Sequence, residues 1–263
     1  MTKRVLLTND DGIFAPGIAA LHEAIASLGQ VMTVAPATVQ SAKSHGVTFH
    51  TPLIVREVNQ PHGMSGFAVE GTPADCVKLA LRNLWPDRFG EGSRPDVVIS
   101  GMNSGANAGI NTIYSGTVAA AIEASFLGVP AIAVSLTMGG GGQSWKRAAQ
   151  IARATIDLLL AQPLDPHRVL NVNVPVTARD DAAMPRVRVV TMNTAAGADG
   201  YQARVAPDGR TYYWPSGNGM EFMHTAEGTD VEALGEGCVT ITPLYYDLTD
   251  HARLAHWRAS IER

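Results

Sequence analysis

Residues 6–18 read LLTNDDGIFAPGI, in which a short apolar run ends at Thr8 and gives way to Asn9 and the paired acids Asp10 and Asp11. A strand that is apolar on both faces is typical of a parallel sheet covered by helices on both sides. In such sheets the polar residues that follow a strand lie at the carboxyl edge, where ligands bind. The stretch therefore predicts the first strand of an α/β fold, with two carboxylates at its ligand-binding edge.

The same pattern continues along the first two-thirds of the chain. Short apolar runs alternate with segments whose apolar residues recur at helical spacing, as in parallel strands joined by crossover helices. Further strands are expected at 31–35, 97–100, 131–136 and 169–174. We therefore expect an α/β, Rossmann-like three-layer sandwich with a mainly parallel sheet, in which strands and helices alternate up to about Val174.

Helix ends are indicated by residues with known capping preferences. Gly29 suits the position just after a first helix, Thr72 suits the N-cap of a second helix with Pro73 in its first turn, and a third helix begins near Ser115. The spacing of apolar residues in the third helix predicts that Phe126 faces the core.

The sequence after about residue 175 has a different texture. A strand is expected at 187–191, a hairpin at 201–215 with its turn at Asp208 and Gly209, and another strand at 238–242. A short amphipathic helix carrying Leu254, Trp257 and Ile261 follows. We expect residues 1–175 to form the catalytic core, and residues 176–263 to form an oligomerisation arm and helix rather than an independent domain.

The composition indicates which kinds of partner and which cellular compartment to expect. The chain has 263 residues, 46% of them hydrophobic, and a formal net charge of -4, so we expect no nucleic-acid partner. Its two cysteines, Cys76 and Cys238, favour a reducing compartment. The N-terminal residues lack a signal peptide, and no run is apolar enough to span a membrane. We therefore expect a cytoplasmic protein that has no membrane partner.

The adjacent carboxylates of Asp10 and Asp11 are the strongest local signal of chemistry. Two neighbouring acids in a sharp turn repel each other unless a cation lies between them or one is protonated. Oxygen ligands of this kind suit a hard divalent metal ion. The alternative is a solvated turn, because Asn, Asp and Gly are ordinary turn residues.

A second signal is the run DVVISGMNSGANAGINTIYSGTVAAAIEAS at 96–125, a buried strand followed by a glycine-rich loop and a helix. Such a loop and the unpaired amides of a helix N-terminus at Ser115, Gly116 and Thr117 are suited to phosphate. Asn103 and Asn107 add neutral polar groups to the same loop. A flexible loop with good helix capping is the alternative.

A third polar loop, PATVQSAKSHGVT at 36–48, directly follows the second predicted strand. Ser41 is therefore expected at the same sheet edge as the acids, where its hydroxyl is able to complete a metal's oxygen shell. Lys43, Ser44 and His45 are candidates for contact with phosphate or substrate. Alone, this segment is merely a polar loop.

Several common motifs are missing from the sequence. No G-x-G-x-x-G follows the first strand, and neither a G-x-S-x-G elbow nor a Walker-type loop occurs. These absences argue against a dinucleotide site, a serine hydrolase and a P-loop nucleotide triphosphatase.

Taken together, the motifs resemble the SurE (survival protein E) family. The similar blocks, in chain order, are TNDDG, SAKS, EGTPADCVKLAL, ISGMNSGANAG, YSGTVAAAIEA, NVNVP and ITPLYYDLT. They span nearly the whole chain, and several independent blocks in the right order are more specific than any single motif.

The resemblance implies a metal-dependent 5′/3′-nucleotidase that acts on nucleoside monophosphates, with some members also trimming short polyphosphate. It implies one divalent ion per subunit, Mg²⁺ or Mn²⁺, and a homodimer or homotetramer built by exchange of terminal elements. The implied metal ligands are Asp10, Asp11, Ser41 and Asn103, and the acids and Asn103 are also the implied catalytic residues. The implied substrate contacts are Asn9, Ser41, Asn107, Ser115, Gly116 and Thr117. The family's usual polar residues before Ser41 are replaced here by residues 37–40, ATVQ, which makes substrate preference less transferable than metal binding.

Two other functions are compatible with the residues. An aspartyl-phosphate phosphatase also has an acid after a first strand and uses it as a covalent nucleophile, but its D-x-D spacing is absent because the two acids are adjacent. A nonenzymatic nucleotide or polyphosphate sensor is the alternative from a different class. Phosphoenzyme trapping tests the first of these, and ligand-induced stabilisation without phosphate release indicates the second.

Overall fold

A computed structural model describes residues 2–59, 64–217 and 219–262. In this part of the chain the largest element is a sheet with the strand order β3-β4-β2-β1-β5-β6-β7-β11-β8. Its strands are β1 (Lys3–Thr8), β2 (Gly29–Pro36), β3 (Val55–Asn59), β4 (Ser65–Val69), β5 (Val97–Ser104), β6 (Ala131–Leu136), β7 (Val169–Val174), β8 (Val187–Val189) and β11 (Val239–Leu244). A separate hairpin consists of β9 (Gly200–Val205) and β10 (Thr211–Ser216).

Helices cover both faces of the sheet. They are α1 (Pro16–Ile25), α2 (Pro73–Leu79), α3 (Trp85–Phe89), α4 (Gly116–Phe126), α5 (Trp145–Leu160), α6 (Asp230–Gly235) and α7 (His251–Ile261). Helices α1 and α5 pack in one apolar cluster, and α2 and α4 pack in the other. The central strands are buried between these clusters, which confirms the expected three-layer α/β sandwich. No helix in the described ranges is both long and apolar enough to cross a membrane.

The predicted helix ends agree with the structure. Gly29 follows a short 3-10 turn after α1 and has a positive φ of 147°. Thr72 caps α2, where its hydroxyl accepts a hydrogen bond from the Asp75 amide and the Asp75 carboxylate accepts one from the Thr72 amide. This reciprocal arrangement satisfies two of the amides that a helix start leaves unpaired. Ser115 caps α4 in the same position.

The prediction of strict alternation up to Val174 was wrong. Strands β3 and β4 form an antiparallel pair between β2 and α2, and β4 runs parallel to β2. Strand β3 forms the edge of the sheet, with β4 next to it, and β3 is mostly solvent-facing, with the sequence VREVN. Polar residues interrupt an edge strand because only one face is covered, so the continuous apolar signal of a central strand is missing.

The expected inward position of Phe126 was also wrong. Its side chain is 46% exposed at the last turn of α4, whereas Val118 on the first turn is buried. The ring of Phe126 packs on His45, at a centroid distance of 5.2 Å, and edge-on against Tyr246. At this last turn of α4 the ring therefore packs against a loop histidine and a C-terminal tyrosine and is not enclosed by the core.

The C-terminal segment adds two strands to the main sheet and leaves other elements exposed. Strand β11 pairs antiparallel with β7 and parallel with β8. The predicted hairpin and its turn are present as β9 and β10. Helix α7 does not pack as the amphipathic helix that was expected, because none of its described residues is buried and Trp257 is 54% exposed.

Candidate functional site

The turn after β1 places Asp10 and Asp11 at the carboxyl edge of the sheet. The side-chain amide of Asn9 donates a 2.8 Å hydrogen bond to the carbonyl of Gly12 and closes the turn. Gly12 has a φ of 95°, a conformation that favours glycine. Asn9 is fully buried, and its side-chain nitrogen is already used by the turn. Its role in contacting substrate stays a prediction.

The carboxylate of Asp10 meets the N-terminal turn of α4. Thr117 donates a short hydrogen bond from its hydroxyl to Asp10 Oδ1. Burial raises the pKa of Asp10 above its usual value; the Thr117 hydrogen bond opposes that rise, and the nearby charge of Asp11 adds to it. The α4 N-terminus is favourable for this carboxylate because the helix dipole is positive there.

Gly116 is the residue that allows α4 to approach Asp10. A Cβ atom at this position would lie 2.8 Å from Asp10 Cβ and 2.9 Å from Asp10 Oδ2. Atoms at that separation overlap, so any larger residue at 116 displaces either the helix or the acid. The predicted trio Ser115, Gly116 and Thr117 therefore lies beside Asp10, with Ser115 as helix cap and Thr117 as hydrogen-bond donor.

Asp11 is attached to the loop that follows β5. Its Oδ2 accepts a 2.8 Å hydrogen bond from the backbone amide of Ser104. Burial raises the pKa of Asp11, and the hydrogen bond from Ser104 works against the rise. The other carboxylate oxygen, Oδ1, makes no hydrogen bond to any described residue.

A bulge at the end of β5 directs Asn103. Strand β5 uses three residues from Ser100 to Asn103 where its neighbour β6 uses two, so the pairing register shifts. Bulges of this kind re-aim side chains next to functional sites. The Asn103 amide nitrogen donates to the Gly105 carbonyl at 2.7 Å, and its carbonyl oxygen has no hydrogen-bond partner within the described residues.

The loop after β2, which carries Ser41, is attached to the turn that carries the acids. The amide of Gln40 donates a 2.8 Å hydrogen bond to the carbonyl of Asp10. Ser44 secures the other side of the loop, because its hydroxyl donates to the Ile113 carbonyl at 2.8 Å and its amide donates to Tyr114. Ser41 lies exposed between these attachments, and its hydroxyl is not engaged by any described residue.

The side chain of His45 contacts α4. Its Nε2 lies 2.8 Å from the buried carboxylate of Glu123, which also pairs with Lys78 at 3.3 Å. Burial works to raise the pKa of Glu123, but the interactions with His45 and Lys78 outweigh it and lower the pKa below its usual value. Lys43 is exposed. Contact of Lys43, Ser44 and His45 with phosphate or substrate stays a prediction. In the structure the side chains of Ser44 and His45 make hydrogen bonds that hold the loop.

Asn107 lies deeper than the sequence suggested. Its side-chain amide donates to the Ser135 hydroxyl at 2.8 Å, and its backbone amide donates to Asn173 Oδ1 at 2.8 Å. Its carbonyl accepts from the side chains of Asn171 and Asn173. The Asn107 amide is thus committed to β6, and its role in phosphate contact stays a prediction.

The residues that support this loop were missed from the sequence. Asn171 and Asn173 belong to the NVNVP block, and their spacing of two places both on one face of buried β7. A pair of buried amides on one strand face is a signal of a buried hydrogen-bond network, because such groups need partners. Asp230 is the other missed residue: its carboxylate accepts 2.8 Å and 2.9 Å hydrogen bonds from the amides of Gly109 and Asn193.

The oxygen atoms at this edge fit a hard divalent cation. Asp11 Oδ1, Asn103 Oδ1 and Ser41 Oγ are not used by hydrogen bonds to the described part of the chain. Both acids have raised pKa values, largely because of burial, and a cation relieves the cost of two neighbouring charges. No group of three His, Cys, Asp or Glu suited to a metal occurs within the described ranges, so a cation at the two acids would need neutral oxygens as its other ligands.

Open space adjoins the acids on the side of α1. A cavity of about 440 Å³ is lined by side chains that include Asp11, Ser104, Phe14 and Trp145. Its volume lies in the range of ligand pockets, roughly 300–1,000 Å³. The site therefore combines paired carboxylates, uncommitted neutral oxygens and room for a small molecule at one sheet edge.

Comparison with known proteins identifies the family. The family model described as Survival protein SurE matches residues 5–198. The chain belongs to the SurE family. The resemblance stated from the sequence motifs is thus confirmed, and the candidate residues from Asn9 to Thr117 all lie inside the matched range, whereas Asp230 lies beyond it.

Individual SurE relatives are similar over nearly the full length. A protein of Rhodopirellula baltica named 5'-nucleotidase SurE is 46% identical over 246 residues, covering 94% of each chain. One of Geobacter metallireducens with the same name is 42% identical, covering 95% of this chain and 94% of the relative. The crystal structure of the SurE protein from Aquifex aeolicus aligns with a TM-score of 0.82 at 35% identity, covering 98% of this chain and 99% of the other.

Proposed function

We propose that this protein is a metal-dependent nucleotidase that hydrolyses nucleoside 5′- and 3′-monophosphates to nucleoside and phosphate. Its SurE relatives carry the name 5'-nucleotidase. The observation that carries the proposal is the arrangement of Asp10 against the N-terminal turn of α4, with Asp11 attached to the β5 loop beside it. This arrangement brings acidic ligands and a helix N-terminus, the natural site for a phosphate, to the same place.

The cofactor in this proposal is one Mg²⁺ or Mn²⁺ ion per subunit. The residues that would hold it are Asp10, Asp11, Ser41 and Asn103, an all-oxygen set of the type these ions prefer. When bound, the ion supplies Lewis acidity and neutralises charge that develops on the phosphoryl oxygens. Asp10 and Asn103 are held by Thr117 and Gly105, so the chain keeps two of these ligands oriented.

The chain contributes binding and orientation around the phosphate. The first-turn amides of α4, at Gly116 and Thr117, favour a bound anion because they lack intrahelical partners. The glycine-rich loop after β5 is held in place by Asn107 and Asn173, so its backbone needs little reordering when substrate binds. Positioning and electrostatic stabilisation of this kind supply most of the catalysis in phosphoryl transfer.

Short-chain polyphosphate is a further substrate in this proposal. Its terminal phosphoryl group presents the same charged oxygens to the site as a nucleotide does. The difference lies in the leaving group, which is a phosphate chain instead of a nucleoside. Release of phosphate from tripolyphosphate therefore tests this part separately.

We infer that residues 176–263 mediate assembly into a homodimer or homotetramer. The β9-β10 register places Tyr201, Val205 and Tyr213 on one face of the hairpin, and each is at least 65% exposed. An isolated two-stranded hairpin is marginally stable in water. An apolar face of this kind is expected to pack against another subunit.

The decisive experiment is phosphate release by the purified protein. AMP, GMP, 3′-AMP and tripolyphosphate are compared in EDTA, Mg²⁺ and Mn²⁺. We expect metal-restored release from the nucleotides, and a loss of at least 100-fold in Asp10→Asn and Asp11→Asn, in the range seen when a key electrostatic group is removed. Asp157→Asn is the control, because this acid lies on α5 in an exposed pair with Arg153.

Other outcomes would redirect the assignment. Release that is unaffected by EDTA or by Asp10→Asn would contradict the metal-dependent scheme. Thermal stabilisation by AMP without phosphate release under any metal would favour the sensor function. A trapped acid-labile phosphoenzyme would favour the aspartyl-phosphate route.

A further inference from the structure

A second, larger cavity lies next to the acid site, at the ends of β2 and β4. Its volume is about 720 Å³, within the range of ligand pockets. Its lining comes from the segments after β1, β2 and β4, from β3 and from the loop near Thr48. The cavity thus opens at the same carboxyl edge as Asp10 and Asp11, on the β3 side of the sheet.

The two cavities are neighbours that share a wall. Phe14, Ala37 and Thr38 line both of them. Gln40, which lines the larger cavity, also donates its amide to the Asp10 carbonyl at 2.8 Å. A molecule with its phosphate at the acids is therefore able to extend past Phe14 into the larger cavity.

Phe14 is an unusual residue for a free surface. Its side chain is 63% exposed, although it follows directly on the buried turn of the site. An exposed aromatic face at a binding edge is a platform on which a planar heterocycle stacks, worth about 1–3 kcal/mol per base in nucleic-acid complexes. Its position between the cavities matches the position of a base attached to a phosphate.

The lining of the larger cavity includes charged groups. The Arg56 guanidinium donates a 2.6 Å hydrogen bond to Glu70 Oε1, and both residues line the cavity. Thr48 and Thr72 are already engaged, because their hydroxyls donate to Asp75 and to the Gly46 carbonyl. The Arg56 and Glu70 pair, together with the side-chain carbonyl of Gln40, therefore offers donors and acceptors for the polar edge of a base.

We propose that this cavity is the nucleoside subsite, with the base stacked on Phe14 and its polar edge toward Arg56 and Glu70. The inference rests on the proposed function, because it assigns the leaving group of that reaction. It makes Phe14 a specificity-determining residue that acts on the base and not on the phosphate. Ala37, Thr38 and Gln40, from the segment where the chain departs from the family pattern, then form part of the nucleoside wall.

The test compares a substrate that has a base with one that lacks it. Phe14→Ala is expected to raise the KM for AMP roughly tenfold or more, from the loss of one stacked base. The KM for ribose 5-phosphate is expected to stay within about twofold, since that ester has no base to stack. Phe49→Ala is the matched control, because Phe49 is similarly exposed but does not line the cavity.

Binding of adenosine, measured by calorimetry, makes the test independent of turnover. The wild-type protein is expected to bind adenosine, and Phe14→Ala to weaken that binding by a similar factor. If the protein binds adenosine through Phe14 and yet hydrolyses no phosphate ester, that result would support the subsite and contradict the nucleotidase function. Equal KM changes for AMP and ribose 5-phosphate, or adenosine affinity unchanged in Phe14→Ala, would overturn the subsite.

A charge-neutral variant tests the polar wall. Glu70→Gln keeps the shape of the side chain and removes the charge that pairs with Arg56. We expect the ratio of kcat/KM values for GMP and AMP to change by severalfold, while the value for ribose 5-phosphate stays constant. A ratio that stays constant as well would exclude Arg56 and Glu70 from contact with the base.

Discussion

The carboxylate of Asp230, at the start of α6, accepts a 2.8 Å hydrogen bond from the amide of Gly109, in the loop between β5 and α4. The same fully buried carboxylate also accepts from Asn193 and from Val231. A residue near the C-terminus thus holds the segment that leads into the helix beside Asp10. Loop geometry at the acid site depends on the C-terminal part of the chain.

Asp230→Asn is expected to reduce both stability and activity. The amide side chain presents a donor to backbone donors, which costs roughly 1–3 kcal/mol for each buried group left unpaired. Thermal unfolding and the kcat/KM for AMP measure the two effects. Glu232→Gln is the control on the same helix, since its carboxylate bonds only to Gly228 in the described structure. A variant that unfolds earlier but keeps full kcat/KM would show that Asp230 stabilises without shaping the site.

Gly116→Ala is expected to inactivate the site while the protein stays folded. The added methyl group overlaps Asp10 Cβ at 2.8 Å, so the acid must move. A displacement of about 1 Å in a catalytic group is enough to cost roughly 100-fold in rate. Gly235→Ala is the matched control, because a Cβ there meets no neighbouring atom within 4 Å. Full activity in Gly116→Ala would show that Asp10 tolerates relocation.

Thr117→Val tests the hydrogen bond that Asp10 accepts. Valine has a similar shape but lacks the hydroxyl that donates to Asp10 Oδ1. A hydrogen bond to a charged group contributes about 1.5–3 kcal/mol, which corresponds to roughly 10- to 150-fold in kcat/KM. Thr117→Ser retains the donor and is expected to recover most of the activity. If serine and valine lower kcat/KM equally, packing at this position matters more than the hydrogen bond.

Asp75 is expected to contribute stability that is lost at low pH. Burial works to raise its pKa, but hydrogen bonds from Thr48 and Thr72 outweigh burial and hold the pKa below the usual value of 3.8. Because the folded pKa is below the unfolded one, the contribution is complete above the unfolded value and disappears as pH falls through the folded value. We therefore expect Asp75→Asn to lower stability by about 1–2 kcal/mol at pH 7.

The pH series identifies the source of that effect. The stabilities of wild type and Asp75→Asn should converge as pH falls below 3.8. Chemical denaturation at fixed pH values measures both. A difference that is constant from pH 7 to pH 3 would mean that the charge of Asp75 plays no part.

Tyr213→Lys tests whether the hairpin is an interface. The change places a charge on the face shared with Tyr201 and Val205, and burying that charge between subunits is costly. We expect the mass measured by light scattering to shift toward the monomer. Gln202→Lys adds the same charge to the opposite face of the hairpin. An unchanged mass for both variants would exclude this face from the interface.

The central part of the site was predictable because it follows from strand order. Asp10 and Ser41 come after parallel strands, Asn103 lies at the end of another, and the carboxyl ends of such strands share one edge. Continuous apolar runs also located the two strands β6 and β7, which are buried along almost their whole length. These inferences need only local sequence and one general rule of α/β topology.

Other features depend on contacts between distant parts of the chain. Nothing near Asp230 in the sequence indicates Gly109 as its partner, since the two are 121 residues apart. Asn107 is polar and follows a strand, yet it is buried because Asn171 and Asn173 supply partners from β7. The edge pair β3 and β4 was missed because its apolar signal is weak where one face meets solvent.

Asp10 and Asp11 follow the first strand of the chain, so they are synthesised before most of the groups they contact. In the folded sheet β1 lies between β2 and β5, but its acids leave the ribosome long before the amide and the hydroxyl that hydrogen-bond to them. Ser104 comes 93 residues after Asp11, and Thr117 comes 107 residues after Asp10. At about 5–20 residues per second, that is a delay of roughly 5 to 20 s. A nascent chain that ends before Thr117 therefore carries both carboxylates without the hydroxyl that binds Asp10, and this edge of the sheet is complete only when α4 has been made.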